Sequence, residues 1–311
     1  MWTDPQDIVF NGKTLAQWKG TRLVRKEGGY PTNEKDGVLV KESTVRNAHS
    51  TVAFKDTGVV ADKVYYYCLF PYTDKAVTMS DNNRFTGKRV SFDPVLKNNS
   101  WAKIAQASEQ GIASQLWQIG DEIDLTLSGT YNETVTLQIW DFNHFDKTDG
   151  TGKAGICFGM KHLMKYTQQI NSTDTNNGGW NATNMKKTVM NNIYNSIPVE
   201  IRNAIKEVNT YANSGGSNSS SQACTDKVFL PGFKELGFTY ENYDGNQVKF
   251  PIFSDNNSRI KKLNNGAGSA NYWWTRSPSY SSSDFRRVLA DGGWSSFIAT
   301  VGYGVCFCFN V

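Results

Sequence analysis

The last eight residues, Gly304-Val305-Cys306-Phe307-Cys308-Phe309-Asn310-Val311, alternate so that Val305, Phe307 and Phe309 share one face. Successive side chains of a strand point to opposite sides, so this segment reads as a buried closing strand. A lone strand is unstable in water, and a chain that ends this way must supply neighbours for it. Short apolar stretches that can do so recur along the sequence, at Ile123–Leu127, Val135–Trp140 and Lys227–Leu230. Val288–Ala290 and Trp294–Ile298 flank Asp291-Gly292, a strong hairpin signal. Helical spacing predicts three helices among them. Trp101–Ala113 sets Trp101, Ile104, Ala105, Ser108 and Ile112 on one face, Asn184–Asn195 follows, and Val199–Val208 is entered through Ser196 and Pro198. Tyr211–Ala223, rich in Gly, Ser and Asn, reads as a loop with no means of forming a core.

With 311 residues the chain has room for two domains. Residues 1–92 read as an all-β module. Thr21-Arg22-Leu23-Val24-Arg25-Lys26 alternates before Glu27-Gly28-Gly29, and Val64 to Phe70 is an aromatic strand closed by Pro71. Residues 93–100 are polar, contain Pro94 and two asparagines, and read as a linker to a second domain at 101–311.

Charged residues are 20% of the chain and the formal net charge is +4, with no Lys/Arg block, which speaks against a nucleic-acid partner. No apolar run approaches the roughly 18 residues needed to span a bilayer, so membrane insertion is not expected. Met1-Trp2-Thr3-Asp4-Pro5 lacks the basic and apolar regions of a secretory signal. The five cysteines, Cys68, Cys157, Cys224, Cys306 and Cys308, include no C-x-x-C pair, which argues against a disulfide framework or a zinc site.

Two resemblances go further. Trp2-Thr3-Asp4-Pro5, Thr51-Val52-Ala53-Phe54-Lys55-Asp56-Thr57-Gly58 and the two strands resemble a fibronectin type III-like module of phage tail proteins. The strand that would precede Trp2 is missing, so the resemblance implies a fragment or a sheet completed in another way. From Trp101 onward the chain resembles a bacterial and phage domain family with a C-type-lectin-like fold. The segments that carry this likeness are Asp141-Phe142-Asn143-His144 with Lys153 to Lys161, Met164 to Trp180, and Tyr272-Trp273-Trp274-Thr275-Arg276-Ser277-Pro278. The implied fold is an all-β sandwich followed by an α+β C-type-lectin-like domain. Some members of that family are variable proteins of diversity-generating retroelements, in which chosen adenines of the segment after the Arg-Ser-Pro signature are rewritten and the segment is displayed on one face.

Rewriting the adenines of an Asn-type codon leaves a fixed final pyrimidine, and such codons cannot encode Lys, Glu, Gln, Met or Trp. Leu263 to Val311 contains no Lys, Glu, Gln or Met, where uniform composition would place about nine. A β-rich, aromatic terminal segment with few long side chains is the competing explanation. On the codon argument Trp273, Trp274 and Trp294 are scaffold. The variable candidates within 272–304 are Ser279, Tyr280, Ser281, Ser282, Ser283, Arg287, Leu289, Ser295, Ser296, Phe297, Ile298, Thr300 and Tyr303. Tyr, Ser and Arg with a few apolar anchors make the physical mixture of an antibody paratope.

Catalytic readings find little support. Cys306 and Cys308 are the only place for the cysteines of a formylglycine-generating oxidase, which shares the lectin-like fold, but a closing strand commonly buries such thiols. No Glu-Pro-Asn or Gln-Pro-Asp triplet is present for a calcium-dependent sugar site. Asp141 to Gly150 is rich in oxygen ligands but misses the EF-hand spacing, and reads as a structural loop with a satisfied His144. His49 and His162 lack partners at recognisable spacing. The expectation is therefore no enzyme, no cofactor and no metal. The implied function is a phage tail receptor-binding protein that contacts a host cell-surface protein or glycan and other tail subunits, with a homo-oligomer left open. Its place would be the virion, or alternatively the bacterial surface or exterior. A structural tail or baseplate subunit and a bacterial adhesin of the same fold are the alternatives.

Overall fold

The computed structural model describes residues 1–78, 81–217, 220–239, 244–266 and 268–311. They form two compact units, Met1–Ser91 and Phe92–Val311, each β-rich with few helices in the chain as a whole.

In the first unit β1 (Ile8–Phe10) and β2 (Lys13–Ala16) make a hairpin turned at Asn11-Gly12, both at positive φ. β3 (Trp18–Lys26), β4 (Val38–Ser43), β5 (Val64–Thr73) and β6 (Arg84–Lys88) form an antiparallel sheet in the order β4-β3-β5-β6. Alternation on the two central strands buries both faces. Leu23, Tyr65 and Tyr67 cluster on one, covered by Trp2, Phe54 and Val59, and Val24, Cys68 and Phe70 cluster on the other. The stretch Thr51–Gly58 contains no strand and contributes Phe54 to that cover. Asp4 is buried and ties the N-terminal segment down, accepting from Trp2 Nε1 at 3.1 Å, the Asn47 backbone at 2.7 Å and the Thr21 hydroxyl.

The second unit is built on β7 (Glu122–Leu127), β8 (Glu133–Phe142) and β9 (Ile156–Met160), followed by the hairpin β10 (Val208–Asn213) and β11 (Ser221–Asp226) and the short β12 (Val228–Phe229). β13 (Trp273–Pro278), β14 (Asp284–Val288) and β15 (Trp294–Ile298) form a separate antiparallel sheet, and β16 (Cys308–Asn310) closes the chain. The main sheet runs β12-β16-β9-β8-β7, so the final strand lies inside it, between β12 and β9. Phe309 meets Phe158 and Trp101, the latter opening the helix Trp101–Glu109, and the Ser108 hydroxyl on that helix bonds the Val311 carbonyl. Of the alternating segment Gly304–Val311 only Cys308–Asn310 is a strand, and it is buried on both faces. Gly159 in β9 is required by packing, because a Cβ there would come within 2.2 Å of the Trp140 ring.

Three expectations are corrected. Residues 93–100 are no linker: Leu96 enters the core of the second unit, and the buried Asn99 amide donates to the carbonyls of Asp93, Val95 and Leu96. The helix begun at Val199 ends at Arg202, and Val208 starts β10 opposite Asp226, the β-branched Val208 and Thr210 favouring the extended form. Tyr211–Ala223 is largely that hairpin, held by polar side chains from elsewhere: Asp244 accepts from the Asn213 backbone at 3.0 Å and Asn176 from the Gly216 backbone at 2.7 Å. Asn218 and Ser219 lie outside the described residues.

Candidate functional site

β13 is buried along its whole length. Adjacent strand residues point to opposite sides, so Trp273 and Trp274, both without exposed surface, anchor the small sheet on its two faces. Their indole nitrogens donate to the Arg259 and Gln168 carbonyls at 3.1 and 3.0 Å, satisfying the one polar atom each ring carries.

Arg276, two residues on, has no exposed surface either. It donates from Nη1 to Glu235 at 2.7 Å and to the Leu230 carbonyl at 2.9 Å, and from Nε to the Tyr211 carbonyl at 3.0 Å, while Nη2 bonds the second Glu235 oxygen. Burial works against the charge, but Glu235 beside it holds the guanidinium above its ordinary pKa. Ser277 donates to the buried Asp244 and accepts from the Phe233 backbone at 2.9 Å. The Arg-Ser of the signature is therefore a structural lock joining β13 to the β10–β11 hairpin and to the turn at 232–235.

The turn between β13 and β14 is held from below by Asn176, which is 1% exposed. Its amide donates to the carbonyls of Ser279, Ser281 and Asp284, and its backbone to that of Ser282 at 2.8 Å. Asn176→Ala takes the amide donor from the Ser279 and Ser281 carbonyls and the acceptor from the Gly216 N–H, and is expected to cost about 3 kcal/mol. Denaturant unfolding checks this, and a loss below about 1 kcal/mol would mean the turn holds itself.

Alternation then divides the candidate residues. Opposite pairs in the sheet are Trp274, Arg287 and Ser295 on one side, continued by Phe285 and Phe297, and Trp273, Val288 and Trp294 on the other, with Arg286, Ser296 and Ile298. The first side carries a cluster around Arg287, whose guanidinium lies 4.4 Å from the Phe297 ring centre, 4.5 Å from Tyr303 and 4.8 Å from Tyr272. Its Nε donates to Ser295 Oγ at 2.8 Å. Trp274 packs edge-on beneath Tyr303. On the second side Arg286 lies over Trp294 and reaches Ser296 Oγ, and Trp294 meets Phe233 edge-on.

The predicted surface is thus only partly one face. Tyr280, Ser282, Phe297 and Ile298 are exposed, and Ser281, Ser283, Arg287, Leu289, Ser295, Ser296, Thr300 and Tyr303 half-buried. Ser279 is buried, its backbone N–H on the Asp284 carbonyl and its hydroxyl accepting from Ser296, so it belongs to the turn and not the surface. Thr300 is tied to Asp174. Ser296 and Ile298 face away from Arg287, because a contiguous run in a strand supplies both sides. Tyr272, 40% exposed and part of the cluster, stands outside the candidate set, although its place directly before Trp273-Trp274 was a usable signal.

The other chemical candidates are accounted for by packing. All five cysteines are buried. Burial pushes the Cys306 thiol up to about 11, and the two sulfurs of the Cys-Phe-Cys run serve different neighbours, Met160 for Cys306 and Phe229 for Cys308. His144 Nδ1 is 2.7 Å from Asp141 and its ring stacks on Phe250. Among the described residues no group of three His, Cys, Asp or Glu side chains is placed to hold a metal ion, and no helix is long and apolar enough to cross a membrane.

Residues 155–311, half of the chain, match the family DUF6273, described as a domain of unknown function. That stretch contains β9 to β16 and the whole of the small sheet. No curated protein and no solved structure matches the chain.

Proposed function

We propose that this chain, which belongs to the DUF6273 family, is a non-enzymatic receptor-binding protein of a phage tail whose β13–β14–β15 sheet presents a retroelement-diversified binding face. The observation that carries the reading is the pairing of a wholly buried β13 with a surface of Tyr272, Tyr280, Arg287, Phe297 and Tyr303 next to it. A surface can accept many side chains only when its backbone is fixed by residues that do not change, and the two tryptophans, Arg276 and Asn176 supply that hold. Tyr and Arg are also the side chains that dominate binding hot spots. The ligand in this reading is a protein or glycan on the host cell, and no cofactor takes part.

The second unit is read as a C-type-lectin-like domain on the sequence likeness, and the long β-rich span from β9 to β16 in one family domain is compatible with it. For the first unit, the order β4-β3-β5-β6 is that of the C′-C-F-G sheet of a fibronectin type III sandwich, which supports that assignment. Its hairpin exposes Ile8, Val9, Phe10 and Leu15, which favours a role for this unit in packing against other tail subunits.

Chains encoded beside the same template test the reading. Expected differences fall at Tyr280 to Ser283, Arg287, Leu289, Ser295 to Ile298, Thr300 and Tyr303, with Trp273, Trp274, Arg276 and Trp294 fixed. A flanking near-copy of the segment and a reverse transcriptase gene should accompany them. Variation spread evenly over buried and exposed positions would refute the diversified face.

A further inference from the structure

We infer that the cluster around Arg287 is a subsite for the carboxylate of an acidic sugar, a uronic or sialic acid carried by a host-surface glycan; the inference rests on reading the β13–β14–β15 sheet as the binding face. Arg287 is half-buried and already oriented, by its Nε bond to Ser295 Oγ at 2.8 Å and by three rings within 4.8 Å of the guanidinium. Its two terminal nitrogens have no acceptor among the described residues, and no described carboxylate pairs with it. The contrast with Arg276 in the same sheet is informative, since every nitrogen of that side chain is engaged. A guanidinium whose Nε is used and whose terminal nitrogens are free presents a planar pair of donors, and a carboxylate fits that pair with two parallel hydrogen bonds. The aromatic walls lower the local dielectric and strengthen such a contact relative to one in open water.

The surroundings favour a sugar as the carrier. Tyr272 and Phe297 are 40% and 38% exposed, and both meet Tyr303 edge-on with ring centres 5.7 and 5.9 Å apart, so the three rings form one continuous aromatic surface beside the guanidinium. The carbon-bound hydrogens of a pyranose can lie against these rings, while Ser295 and the neighbouring hydroxyls offer partners to its OH groups.

The intact chain is titrated with sialyllactose and with digalacturonate, with the methyl ester of each, and with neutral lactose, while the Arg287 Nε–Hε resonance and the backbone resonances are followed. An acidic sugar should bind and shift Arg287, its ester should bind at least tenfold more weakly, and Arg287→Lys should cost a similar factor with the melting midpoint unchanged. Esters that bind as tightly as acids, binding indifferent to Arg287→Lys, or no binding by any member of the panel would each overturn the carboxylate subsite. A blocked glutamate peptide that binds at Arg287 while the sugars do not would overturn it in favour of a protein partner. The two failures are separable: loss on Tyr272→Ala with no effect of Arg287→Lys keeps the face and removes the subsite, whereas shifts confined to residues away from β13–β15 remove the face itself.

Discussion

Replacing Arg276 by Ala is expected to destabilise the second unit by about 3 to 5 kcal/mol, the range for breaking a buried ion pair by removing one partner. The cause is what stays behind. Glu235 has no exposed surface and would lose the guanidinium that bonds both its oxygens, and the Leu230 carbonyl would lose its donor, while the Tyr211 carbonyl would keep only Gln247. For a unit of this size the loss corresponds to a fall of roughly 10 °C in the melting midpoint. The paired replacement Arg276→Met with Glu235→Leu removes both charges together and should be less harmful than Arg276→Ala alone, because no unpaired ion is left. Thermal and denaturant unfolding of the three proteins decides it. A single variant within 1 kcal/mol of the parent would show that the pair is not the lock that joins β13 to the hairpin.

The lock also marks where the sequence could be read and where it could not. Alternation along Gly304–Val311 and the Asp291-Gly292 turn are local signals: they locate a closing strand and a hairpin, but β16 takes only Cys308–Asn310 of the alternating segment, and the first hairpin strand is Asp284–Val288 where Val288–Ala290 was expected. Arg276 was visible as part of a signature, but Glu235 lies 41 residues away in sequence and Asp244 is 33 residues from Ser277. No period links such polar partners, so the sequence cannot announce them. The same limit explains Tyr211–Ala223, where Gly, Ser and Asn look like a free loop until Asn176 and Asp244 satisfy their backbone. It explains Val208 as well, since an apolar residue at helical spacing from Ile201 and Ile205 is equally well buried as the first residue of a strand. The candidate face was legible as a segment but not as a side. A run of adjacent positions in β15 necessarily serves both faces, and only the register of Arg287 opposite Ser295 tells which residues stand together.

Trp273→Ala should cost about 3 to 5 kcal/mol, as for a large aromatic removed from a core, while Tyr280→Ala and Ser282→Ala should each change stability by no more than about 0.5 kcal/mol. Trp273 has no exposed surface, its indole bonds the Arg259 carbonyl, and it stands opposite Val288 in the register that fixes β14. Its removal leaves a cavity under the very strand that carries Arg287, so the damage is to the platform and not to a contact. Tyr280 is 49% exposed and Ser282 is exposed, so neither supports the sheet from within. Function should divide in the opposite sense. The combined replacement of Tyr280, Arg287 and Tyr303 by Ala should abolish attachment to the host and lower the melting midpoint by only a few degrees, with most of that shift traced to Tyr303, which rests on Trp274. Adsorption and unfolding measured on the same preparations separate the two roles: a triple variant that adsorbs normally would place recognition elsewhere, and one that unfolds as readily as Trp273→Ala would make these side chains part of the core.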